Sequence, residues 1–176
     1  MQQVKTKLIE NYSKKEKDNY KNGKIKIVQQ INDIDLFVNN AKKSSNNMKL
    51  YFGKVGKELA NKIKDRTGIN IEKYNISLKN DAIRHILKRH SSYNEKLRGQ
   101  IEIINSDFYL ITEIISAFDD VVLSGLNKSG KPVLTFKKVY NEFYYLVNYI
   151  SDKNHNLEVQ TMYKKQKKSS STANNE

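Results

Sequence analysis

The chain has no cysteine, which excludes disulfides, thiolate zinc sites and cysteine nucleophiles. No apolar run approaches the roughly 20 residues of a membrane span. The opening residues, Met1 to Lys7, lack the apolar stretch of a signal peptide. A cytoplasmic protein without membrane association is expected. Phosphate-loop and dinucleotide-loop glycine patterns are missing, and Gly53-x-x-Gly56 has only a turn-like spacing. No nucleophile elbow is present to support Ser-His-Asp hydrolysis. His85 and His90 are five apart, not the three or four that place two metal ligands on one helical face, and no third ligand is evident. Neither a metal nor a cofactor is therefore expected. Apolar residues make up only 38% of the chain, and mean hydropathy is −0.75. Part of the chain is thus expected to pack poorly, although 176 residues suffice for one domain with a core.

What the chain has in excess is positive charge. The formal net charge is +13. Residues 1–49 contribute a net +6, residues 50–163 a net +4, and residues 164–176 a net +3. More than half of the basicity therefore lies outside the expected core. Lysine and arginine neutralise phosphates and release counterions, so a polyanionic partner fits. Well-solvated basic tails fit the same count.

Periodicity divides the chain into three parts. Residues 1–48 form a basic extension. Within it Val4, Leu8, Ile9 and Tyr12 fall at helical spacing, Ile25 and Ile27 alternate, and Asn32 or Asp33 precedes a helix carrying Leu36, Phe37 and Ala41. The polar run from Lys42 to Asn47 marks a boundary. Residues 49–164 form an α+β domain. Met48 to Phe52 is expected as a strand. A helix with Val55, Leu59 and Ile63 on one face follows, stopped by Thr67-Gly68. Asn80 or Asp81 is expected to cap a second helix whose apolar face is Ile83, Ile86 and Leu87. Ser106 or Asp107 is expected to cap a third, with Phe108, Ile111, Ile114 and Ile115. From Val121 the period becomes that of strands. Val121–Leu123, Val133–Tyr140, Phe143–Ile150 and Leu157–Tyr163 are separated by short turns, which implies antiparallel neighbours. The expected fold is N-terminal helices packed on a four-stranded antiparallel sheet. Residues 165–176 read as a disordered basic tail.

Two segments carry candidate chemistry. Asp81 to His90 holds two of the three histidines and two of the four arginines, with Arg98 soon after. His85 titrates near neutral pH and so suits acid–base work. It lies at the flank of the apolar face, where Asp81 is placed to orient it. A half-exposed surface histidine is the competing reading. His90 continues the apolar spacing of Ile83, Ile86 and Leu87. It is either a buried histidine at a helix end, favoured there by the dipole, or one aimed at the sheet. Arg84, Arg89 and Arg98 are candidates to hold phosphates, or else form a solvated basic face. Lys137 and Lys138 alternate on a strand, so at most one can serve a given site. Thr161 and Tyr163 share a face of the final strand. They offer phosphate donors and a stacking ring, or simply pack a sheet.

The order of these parts resembles the Barnase–EndoU–colicin–RelE-like nuclease superfamily and its phage-associated families. Tyr51-Phe52-Gly53-Lys54-Val55, Thr67-Gly68-Ile69, Ile83-Arg84-His85-Ile86 with His90, Asp107-Phe108 and Leu157-x-Val159-x-Thr161-Met162-Tyr163 carry the resemblance, over roughly residues 49–164. It implies a toxin or effector endoribonuclease that cuts RNA without metal, through the substrate's own 2′-hydroxyl, leaving a 2′,3′-cyclic phosphate. His85, His90, Arg98, Thr161 and Tyr163 would be catalytic, with Arg84, Arg89, Lys137 and Lys138 binding substrate. The RNA would be tRNA, rRNA or mRNA, and an acidic immunity or antitoxin protein is an expected partner. The alternative is a non-catalytic phage or mobile-element protein that uses the same fold to bind nucleic acid or a nucleoprotein.

Overall fold

The computed structural model describes residues 26–27, 34–43, 47–90, 93 and 98–167. The suggested helix around Val4 to Tyr12, the Ser44–Asn46 part of the boundary run and the tail from residue 168 lie outside these. In chain order the elements are β1 (Lys26–Ile27), α1 (Ile34–Lys43), β2 (Met48–Lys54), α2 (Lys57–Thr67), β3 (Asn75–Lys79), α3 (Asn80–Arg89) and β4 (Gln100–Ile101). A 3-10 helix (Asn105–Leu110), α4 (Ile111–Ser116), β5 (Asp120–Leu126), β6 (Pro132–Val139), β7 (Phe143–Ser151) and β8 (Asn156–Lys165) follow.

The strands form one sheet in the order β1-β2-β3-β8-β7-β6-β5, with β4 also paired to β8. The antiparallel run β5-β6-β7-β8 is present as short turns require. The expectation of a four-stranded antiparallel sheet is nonetheless corrected. β3 lies parallel to β8, β2 pairs antiparallel with β3, and β1 runs parallel to β2, so the sheet is mixed and wider. The physical reason is that β3 and β8 are joined only through residues 80–155. No local turn signal announces a pairing made across so long a connection.

The helices cover one face. Leu50, Phe52, Leu78, Val159, Leu146, Leu134 and Phe136 of the sheet meet Ile63, Ile83, Ile86, Phe108, Ile111, Ile114 and Ile115 in one buried cluster. Full burial of such side chains stabilises by about 1.5–3 kcal/mol each. Phe37, Val38 and Ala41 of α1 belong to the same cluster. One buried carboxylate on this face is held by three donors. The Asp107 carboxylate accepts from the Lys164 ammonium at 2.9 Å, the Tyr144 hydroxyl at 3.0 Å and the Ile104 N–H at 2.8 Å. This fixes the 3-10 helix on the sheet.

Helix α2 ends as its sequence predicts. Gly68 is left-handed, with φ 76°, and its N–H returns to the Lys64 carbonyl. A Cβ at Gly68 would meet no atom within 4 Å, so the cost of adding one is conformational. Gly68→Ala is expected to lower unfolding stability by about 1 kcal/mol, measured by urea denaturation with an unchanged slope. Helix α3 departs from expectation at its start. Neither Asn80 nor Asp81 is its N-cap; Lys79, still extended, takes that position and forms no side-chain cap. The Asn80 Oδ1 instead accepts from the Met48 N–H at 3.3 Å, which ties α3 to β2.

Candidate active site

The second face of the sheet, away from the helical core, carries a different chemistry. Strand register sets its rows. Lys137, Tyr145 and Tyr163 lie side by side on β6, β7 and β8. The next row is Thr135, Val147 and Thr161. The register then shifts, because Val147 pairs with Thr161 but Asn148 pairs with Val159. Gln160 is the extra residue of this β-bulge. In a regular strand, residues three apart point to opposite faces. The bulge instead places Glu158 and Thr161 on one face, with Glu158 opposite Tyr149.

Helix α3 runs beside this part of β8 and delivers both of its histidines there. His90 closes the helix, its N–H bonded to the Ile86 carbonyl at 2.8 Å. Its side chain is buried. Its Nε2 shares a hydrogen bond with Thr161 Oγ1 at 3.3 Å. The imidazole stacks on Tyr163 at 6.0 Å and 23°, and Tyr163 stacks on Tyr145 at 4.9 Å and 12°. The Lys165 ammonium sits 5.5 and 5.7 Å from the two tyrosine rings. Burial, then the neighbouring Tyr145, raise the Tyr163 hydroxyl above its ordinary pKa, so it remains protonated and able to donate.

His85, one turn and a half earlier, is exposed. It lines a cleft of about 420 Å³ with Lys79, Asp81, Ala82, Tyr149, Glu158 and Gln160. Partial burial, then the positive charge of Arg89, hold its pKa below the ordinary histidine value. It is therefore neutral at neutral pH and free to accept a proton. The cleft floor is a charged network. Glu158, almost wholly buried, pairs with Lys49 at 2.8 Å and Lys79 at 2.6 Å, and accepts from the Tyr149 hydroxyl. Burial pushes the Glu158 carboxyl up, but the charge and hydrogen bond of Lys49, with Lys79 and Tyr149, outweigh it and hold it below its ordinary value. Burial lowers Lys79, yet Glu158 more than compensates, so the ammonium is retained. Burial and the Glu158 hydrogen bond push the Tyr149 hydroxyl up to about 12.

The chain is matched over residues 53–172 by a model of the phage-Barnase-EndoU-ColicinE5/D-RelE like nuclease 3 family. The chain belongs to this family. No curated protein and no solved structure matches it. Membership of this nuclease family joins the geometry at one place, since the matched stretch contains α3, β7 and β8 whole.

Within this nuclease fold the sequence-derived candidates separate. His90, Thr161 and Tyr163 meet. His85 lines the neighbouring cleft. Arg98 is exposed and donates to the Arg89 carbonyl at 3.2 Å, close behind His90. Arg89 is exposed beside His85, and its charge acts on it. Arg84 lies elsewhere: its guanidinium joins Asp81 and the Ala41 carbonyl, fastening α3 to α1. The two lysines also part. Lys137 shares the row of Tyr145 and Tyr163. Lys138, on the other face, pairs with Asp119 at 3.3 Å. Sequence reasoning missed Lys49, Lys79 and Glu158. The only sequence signal was Glu158 itself, the lone acid of the final strand, set between Leu157 and Val159. Another cleft, about 820 Å³ between α1 and the 3-10 helix, is lined by no histidine. Among the described residues no group of three or more His, Asp or Glu side chains gathers as metal ligands, and no helix is long and apolar enough to cross a membrane.

Proposed function

We propose that this nuclease is a metal-independent endoribonuclease of the toxin or effector type. One observation carries the reading: α3 brings two histidines to the same sheet face, one open in a lysine-bearing cleft, the other hydrogen-bonded to Thr161. Paired histidines suit a reaction that needs a base and an acid. Neutral His85 takes the proton of a ribose 2′-hydroxyl. The 2′-oxygen attacks the adjacent phosphorus, and the bond to the 5′-oxygen breaks. Protonated His90, oriented by Thr161 and Tyr163, supplies the proton to the departing 5′-oxygen. The products are a 2′,3′-cyclic phosphate and a free 5′-hydroxyl. Lys79, Lys137 and Arg98 offer positive charge to the phosphorane that forms between. The substrate would be tRNA, rRNA or mRNA, drawn in by the +13 charge. An acidic inhibitor protein would complement the same charge.

The test is to incubate the purified protein with total cellular RNA in excess EDTA and to analyse the ends. Discrete fragments with 2′,3′-cyclic phosphates are expected. Intact RNA in EDTA, with cutting restored by a divalent cation, would overturn the metal-free route. Intact RNA under both conditions would favour a binding protein. That second reading has its own observation, the burial of His90 between Thr161 and Tyr163, which suits a structural histidine equally well.

A further inference from the structure

Several aromatic rings on this face have a lysine ammonium over them. Tyr149 has Lys131 at 5.0 Å, while Lys79 lies at the hydroxyl end of the ring and donates to it at 3.2 Å. Phe143 has Lys137 at 4.7 Å and Lys167 at 5.9 Å, and Tyr145 has Lys165 at 5.5 Å. All three rings are partly exposed. A lysine over a ring is held weakly, on a flexible stem, when water can reach it. An unpaired base gains more by covering that ring than the ammonium does. The displaced lysine then finds a phosphate of the same nucleotide. A ring capped in this way is thus arranged to exchange its cation for a base.

Position gives the rings a joint meaning. Tyr145 and Tyr149 are four residues apart on one face of β7, roughly 13 Å at about 3.3 Å per residue. Midway between them is Val147, paired with Thr161, the partner of His90. On the Tyr149 side lies the His85 cleft. Tyr149 is rigid as a platform because its hydroxyl is held by Glu158 and Lys79.

We propose that Tyr149 and the Tyr145–Phe143 pair are two base-stacking subsites that bracket the histidines, so that the substrate is a single strand laid along β7. This deepens the nuclease reading and rests on it for the position of the scissile bond. Stacking engages any base, so the site accepts unpaired segments of varied sequence and refuses duplexes, whose bases already stack on one another.

The test uses a short fluorescein-labelled single strand of 2′-deoxynucleotides and the matching duplex, with binding measured by fluorescence anisotropy. The probe has no 2′-hydroxyl and cannot follow the cleavage route. The single strand is expected to bind about tenfold more tightly than the duplex. Tyr149→Leu and Tyr145→Leu should each weaken single-strand binding by about tenfold, while Tyr149→Phe stays within about threefold. Equal binding of duplex and single strand, or leucine variants that bind like the wild type, would overturn the proposal. Should Tyr149→Leu melt, Tyr145→Leu carries the test, since Tyr145 is not tied to Glu158. The two readings fail separately. Ring-dependent binding without RNA cleavage counts against the nuclease chemistry alone, and cleavage without ring-dependent binding counts against the stacking subsites alone.

Discussion

His85→Ala is expected to lower the rate of RNA cleavage by about 10²- to 10⁴-fold, the usual contribution of a positioned general base, with an unchanged melting temperature. The imidazole is exposed and contributes little to the core. Loss of activity without loss of stability is therefore the distinguishing result, and cleavage at the wild-type rate would remove His85 from the mechanism. The pH profile gives an independent sign. Partial burial and then Arg89 hold the His85 pKa below its ordinary value. A base must be unprotonated to act, so kcat/KM should fall on the acid side of about pH 6.5. Arg89→Ala removes the repelling charge and should move that acid limb to higher pH. A limb that stays in place would mean that another group sets it.

The largest stability effect is expected at Glu158. Its side chain and that of Lys49 are 4% and 5% exposed, and the two are 2.8 Å apart. Removing one partner of a buried ion pair leaves the other charge without compensation, at a cost of about 3–5 kcal/mol. Glu158→Ala should therefore lower the melting temperature by roughly 10 °C, at about 2–4 °C per kcal/mol for a chain of this size. The double variant Lys49→Met, Glu158→Leu should recover most of the loss, because apolar replacements of a buried pair are often neutral or better. A double variant as unstable as the single one would place the cost in packing rather than in the stranded lysine. The same network has a pH signature. The carboxyl is held below its ordinary value by Lys49, Lys79 and Tyr149 against the opposing effect of burial. Its contribution is then complete above the unfolded value of about 4.3 and is lost as pH falls through the folded one.

Local signals were enough for much of this. The apolar spacing of Ile83 and Ile86 marked α3, Gly68 marked the end of α2, and short turns marked the antiparallel run from β5 to β8. Two kinds of feature escaped. One is pairing across long connections: Lys79 meets Glu158 only because β3 joins β8 in parallel. The other is the bulge. Strict alternation would have put Glu158 and Thr161 on opposite faces, and nothing in the type of Gln160 announces the extra residue. Alternation did show that Lys137 and Lys138 must divide between the faces. Which of them lay with Tyr163 depended on register, which the sequence left open.

β8 is the last strand in the described order, yet it sits in the middle of the sheet. The β1-β2-β3 ribbon and the β7-β6-β5 ribbon join only through it. A chain emerging from the ribosome would hold α3 and both of its histidines well before it held Thr161, Tyr163 or Glu158. Until that central strand inserts, the two ribbons have no shared edge and the histidines face no partner. Synthesis itself would delay the assembly of any cutting surface to the end of translation of this fold.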